Sequence, residues 1–240
     1  MDNPALHLSF SQLALALVPV LITLGILFKW SYDLGHAVYA LARMLAQLLL
    51  IGYVLAWIFG AGNGVLVLLV LAIMLLASSW IALGTVPEQR RALLWASVVS
   101  ITVGGGLTLA LITQAVLQIE PWYLPHYMIP LAGMVFANAM TAVSLAAERL
   151  YAELAHGASW QSARLTAYQA AMIPVINSLF AVGLVSLPGM MTGQILSGVS
   201  PLVAARYQIV VMCMIFAASG ISTALFLAII RRRVALADQD

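Results

Sequence analysis

The residues of this chain that could do chemistry are few, and most of them lie inside apolar runs. Arg43, in ARMLAQ, sits about two helical turns into such a run, with Gln47 one turn further on the same face. An ionisable side chain there is costly and faces protein or water. Arg43 either snorkels to headgroups or sits in a structural ion pair, or it lines a pathway, and Glu148 is its candidate partner. Asn138, Thr141, Ser144 and Glu148 recur at steps of three and four, a polar stripe that needs a protein neighbour or an aqueous path. Met190 and Met191 carry thioethers, which suit soft ions such as Cu(I), although methionine is also common core filler. No second cysteine joins Cys213, and His7, His36, His126 and His156 are scattered, so the metal ligands stay unassigned.

Several chemistries have no motif here. There is no G-x-S-x-G, H-E-x-x-H or C-x-x-C, and no G-x-x-x-x-G-K-[ST] phosphate loop. The chain reads as a non-enzyme without a cofactor of its own. If ATP drives it, ATP and Mg belong to a separate ATPase chain. Gly104–Gly105–Gly106 has no following lysine and reads as a packing or kink feature.

The elements that position these residues follow from composition. Of 240 residues, 64% are hydrophobic and 8% charged, and mean hydropathy is +1.06. A soluble domain is nearer a quarter charged, so the main solvent is lipid. The net charge of +2 gives no argument for nucleic acid. Runs of about 20 apolar residues cross a bilayer as helices. Seven candidate spans appear, at about 11–28, 35–59, 64–84, 92–118, 126–147, 168–198 and 205–230. The start lacks a basic n-region, so the first run reads as a retained span rather than a signal peptide.

Lys29, Arg90, Arg91, Arg149, Arg164 and Arg231–Arg233 fall on one set of loops, and only Arg206 on the other. Positive loops are cytoplasmic, which puts the N-terminus outside and the C-terminus inside. Trp122, Tyr123 and Tyr127 would form an outer belt, and Trp30, Tyr32 and Trp95 an inner one. The expected fold is an all-α polytopic bundle, one domain over 1–240.

Two interruptions stand out. At 149–167, Gly157 suits a helix C-cap and Ser159 the N-cap of the next helix, which makes a cytoplasmic elbow shaped for docking. Glu153, His156 and Ala158 belong to it. The second lies in the sixth run, which opens on Pro174 and Asn177 and continues as LVSLPGMMTGQILSG. Pro188 is expected to bend this span. Gly189, Gly193 and Ser197, with Gln194 among them, recur at four and would pack closely, as would Gly133, Ala137 and Thr141.

Four segments carry a resemblance: IGYVLAWIF, SITVGGGLTLAL, MIPLAGMVFANAMTAVSLA and above all GLVSLPGMMTGQILSGVSPLVAARYQIVVMCM. They resemble the FetB-type ABC transporter permeases, bacterial membrane subunits associated with iron export and similar to plant permeases linked to aluminium tolerance. The likeness runs from about Arg43 to the last span. It implies a metal-ion permease of the bacterial inner membrane, working as two permeases with two ATPases, with AHGAS (155–159) as the docking elbow. Arg43, Gln47, Asn138 and Leu187–Met191 then match the family's span residues. One departure is a shorter helix before the glycine, about Arg149 to His156, with His156 in an apolar position. An ion-coupled secondary transporter and a non-transporting scaffold are the rival readings.

Overall fold

A computed structural model describes residues 9–30 and 34–237; His7 and Tyr32 lie outside them. The chain divides into two compact units, 1–60 and 61–240. In the first, α1 (Phe10–Ala16) is opened by a capping box on Ser9 and Gln12, and α2 (Val18–Lys29) carries proline in its first turn, where a missing N–H costs nothing. Then follows α3 (Leu34–Ala61).

The second unit holds α4 (Gly64–Ala82), α5 (Arg90–Ile101), α6 (Leu107–Ala110), α7 (Pro125–Ala155), α8 (Trp160–Ala181), α9 (Gly189–Leu196) and α10 (Pro201–Ala237). Asn63 caps α4 by accepting the Val65 N–H at 2.9 Å. Wide π-type turns at Thr102–Gly106 and Leu111–Val116 join α5 and α6 into one rod that reaches Val116. Among the described residues there is no strand, only a single bridge between Val182 and Ser186.

Among the described residues five helical stretches are long and apolar enough to cross a membrane, at 34–60, 64–85, 90–116, 125–155 and 201–231. They match the second to fifth and the seventh expected spans. The first expected span is two helices, α1 and α2, that meet at Leu17. The sixth differs more. Its helix is α8, which starts at Trp160 and ends at Ala181, so 168–198 is not one bent helix. The elbow also differs in detail. Its first arm is the end of the 31-residue α7, not a separate short helix.

The core of the second unit runs along α7 and α10. Leu131, Val135, Val143 and Leu150 of α7 pack with Met214, Phe226 and Ile230 of α10, all fully buried. The rod of α5 enters this core at Gly104. A Cβ there would lie 2.5 Å from the Ser222 backbone nitrogen and 2.8 Å from its Cα, distances no side chain tolerates. At Gly105 it would meet Val135 Cγ1 at 3.1 Å. The triple glycine is thus a packing feature and part of a π-type turn as well.

The two ends of the unit are distinct. At one end Gly64 lies against Tyr123. At the other, Thr85 Oγ1 donates to the Ser144 carbonyl at 3.2 Å, and Arg90 donates twice to the Trp80 carbonyl (3.1 and 2.8 Å) while stacking 3.9 Å over its ring.

Candidate functional site

The elbow takes shape from local chemistry. Helix α7 ends at Ala155, and Gly157 follows in the left-handed region at φ +81°. Its N–H donates to Leu154 O at 2.9 Å, and the Ala158 N–H reaches back to Glu153 O at 3.1 Å, which satisfies carbonyls of the last turn. Ser159 then starts α8, its hydroxyl accepting from the Ser162 N–H at 3.4 Å. Arg149 pairs with Glu153 one turn on, at 2.6 Å. His156 is exposed, and its Nδ1 lies 2.6 Å from Ala152 O. Beside the elbow a groove of about 410 Å³ runs between α7 and the 85–89 turn. Glu148 and Tyr151 line one side, and Thr85, Glu88 and Gln89 the other.

The polar stripe of α7 is divided. Asn138 turns inward to bond Met134 O at 2.8 Å, and Thr141 bonds Ala137 O at 2.9 Å, each one turn back on its own helix. Ser144 meets Thr85, whereas Glu148 is exposed at the groove. Arg43 and Gln47 are both exposed on α3, in the other unit. The small-residue stripe is not a close approach: a Cβ at Gly133 would make ordinary contact with Met74, and Ala137 and Thr141 are exposed. Gly189 and Gly193 likewise face open space.

After Ala181 the chain folds into a knot of turns. The N–H groups of Leu184, Val185 and Ser186 all point to the Ala181 carbonyl, and Gly183, at φ +82°, bonds Ser186 O. Pro188 does not kink a helix; it is the N-cap residue of α9. Met190 and Met191 then part company. Met190 packs against the core, whereas Met191 lines a cavity of about 320 Å³ between the turn, α9 and α10, together with Gln208, Met212 and Cys213. Asn177 is exposed on α8, and its neighbour Ser178 bonds Val175 O. The Gln194 carbonyl oxygen is buried without a partner among the described residues, as is the Tyr207 hydroxyl.

Buried hydroxyls escape a reading by polar stripes. Ser219, Ser222 and Thr223 on α10 and Ser79 on α4 are buried, with side-chain oxygens unpartnered among the described residues. Their sequence signal is only SGIST and SS inside apolar runs. Among the described residues no three of His, Cys, Asp and Glu come together.

Residues 10–235 match UPF0014, described as an uncharacterised protein family. The chain belongs to the UPF0014 family. The UPF0014 relatives include a membrane protein of Synechocystis, 35% identical, with 83% of each chain covered. The probable iron export permease protein FetB of Escherichia coli is 33% identical, covering 90% of this chain and 88% of its own. Protein ALUMINUM SENSITIVE 3 of Arabidopsis thaliana is 35% identical, covering 88% and 81%. No solved structure matches. With five apolar helices of crossing length among the described residues and a membrane-protein family matched along nearly its whole length, this UPF0014 chain is a multi-pass membrane protein.

Proposed function

We propose that the chain is the permease subunit of an ABC transporter that exports a metal ion, using ATP hydrolysed by a separate ATPase. The name of the Escherichia coli relative suggests iron as cargo. The observation that carries the coupling reading is the elbow at 155–160 beside the groove of Glu88, Glu148 and Tyr151. A rigid helix–glycine–helix corner at the end of two long helices transmits a push along both. The groove offers an ATPase a carboxylate-rimmed recess. In this reading the working unit is two permeases and two ATPases in the bacterial inner membrane. Arg43, Gln47, Asn138, Asn177 and Gln194 are its pathway or packing residues.

The basic loops support an orientation with the elbow inside. Seven crossings then comprise the five long helices, the α1–α2 pair and α8. At 22 residues α8 is about 33 Å long, enough for a hydrocarbon core of about 30 Å.

The test is gentle-detergent purification of the tagged protein from its native host, beside Gly157→Pro and Ala158→Arg. Proline cannot adopt φ +81°, and arginine at 158 adds charge where the ATPase would seat. A small ATPase subunit should co-purify with wild type and drop at least tenfold with both variants, which should keep the wild-type elution volume. A protein that arrives alone, under conditions that preserve other ABC complexes, rejects the reading.

A further inference from the structure

The cavity between the 182–188 turn, α9 and α10 has a chemistry that the polar stripes lack. Met191 reaches it from α9, and Gln208, Met212 and Cys213 from α10. Two methionines and the exposed Cys213 thus line one space of about 320 Å³ from two helices separated by the turn at Gly198. Gln208 is only 6% exposed and is the one amide on this lining. A nearly buried amide needs a polar partner, and this one lies on the wall that Met191, Met212 and Cys213 also line.

We propose that this cavity binds a soft monovalent metal ion, Cu(I) or its stand-in Ag(I). The Met191 and Met212 thioethers and the Cys213 sulfur are its ligands, and the Gln208 carbonyl oxygen is a fourth polar group. Thioether and thiolate sulfur select soft ions, whereas Fe(II) sites draw on nitrogen and oxygen, of which this wall has little. Charge balance points the same way. Cys213 releases its thiol proton to water on binding, and one thiolate neutralises one monovalent ion, so the loaded site carries no net charge into an apolar setting. The turn supports the assignment. Gly183, in the left-handed region that glycine adopts readily, and Val182 line the cavity together with α10, so the turn that ends α8 supplies part of its wall. Met190, one residue away, packs on the core and has no part in the site.

This inference names a cargo class for the proposed permease and rests on that reading only for its meaning in transport. The binding itself requires no ATPase. The purified full-length protein in detergent is titrated with Cu(I) against the chromophoric chelator bicinchoninate, and the loaded sample is examined by X-ray absorption at the copper edge. One Cu(I) per chain with a sulfur-dominated shell is expected. Met191→Leu, Met212→Leu and Cys213→Ala should each weaken binding at least tenfold, and Gln208→Leu less. Met190→Leu and Met140→Leu should match wild type. Leucine for methionine nearly conserves volume, so the variants should fold, and thermal melts check this.

The site is overturned if Cu(I) is not withdrawn from the chelator, if the cavity variants bind like wild type, or if Fe(II) is bound more tightly than Cu(I). It is also overturned if the cavity retains a lipid chain that Ag(I) does not displace. Loss of the ATPase in the pull-down with Cu(I) binding intact rejects the ABC reading alone. The reverse result rejects this site alone.

Discussion

At Gly104 the backbones of two helices nearly touch, and the contact is to Ser222 of α10 rather than to a flexible side-chain end. An added methyl has nowhere to go, so the helices must part. Overpacking of this kind costs about 1–3 kcal/mol. Gly104→Ala should therefore lower the melting temperature of the detergent-purified protein by several degrees. Gly133→Ala should stay within about 0.5 kcal/mol of wild type, because its new methyl would meet only the flexible end of Met74 in ordinary contact. Equal losses at the two sites would refute this packing. The pair also shows how far residue types carry. The stripe at 133, 137 and 141 had the spacing of a close helix contact, yet it is half exposed. The true contact fell in a glycine triplet with no such spacing, because a π-type turn resets which side chains share a face. Met190 and Met191 were equally alike as letters, and only their directions in the first turn of α9 separate them.

Helix boundaries were legible where the determinant is local. Gly157 and Ser159 stop one helix and start the next through bonds that span three or four residues, so residue type alone placed the elbow. The broken sixth run was legible as an interruption but not as this interruption. Proline inside a run suggests a kink, yet Pro188 stands just before a helix, where it breaks no hydrogen bond. The stop belongs to Gly183 and to the three N–H groups that converge on the Ala181 carbonyl. The two accounts differ in outcome. A kink released by Pro188→Ala would add helix, visible as a rise in the far-ultraviolet circular dichroism. The turn described here predicts no rise. It predicts instead that Gly183→Ala destabilises by about 1–2 kcal/mol, the cost of a left-handed alanine. Amide exchange at 182–188 should then quicken, while that of α7 stays as it was.

For the whole molecule, hydropathy and charge together do more than either alone. Hydropathy selects five helices and passes over α8, which carries Arg164, Gln169 and Asn177 along its length. In the proposed orientation, charge bias supplies a further crossing. The elbow at 155–160 lies between Arg149 and Arg164, and α10 carries the basic triplet Arg231–Arg233 near its end, so the charge rule assigns both to the inside in the proposed orientation. For α10 to finish inside, its start at Pro201 must lie outside, and α8 is the only helix of crossing length between the elbow and that start. Single cysteines on a Cys213→Ser background decide the matter in intact cells with a membrane-impermeant thiol reagent. Glu120→Cys and Ser200→Cys, both at exposed positions, should label from outside, and Gln161→Cys only after permeabilisation. Labelling of Ser200→Cys together with Gln161→Cys would mean that α8 does not cross. The 182–200 turns would then lie on the cytoplasmic face beside the elbow, and α10 would run the other way against the charge rule. The outer pattern instead places the sulfur-lined cavity across the membrane from the elbow, so any coupling between them must travel along α8.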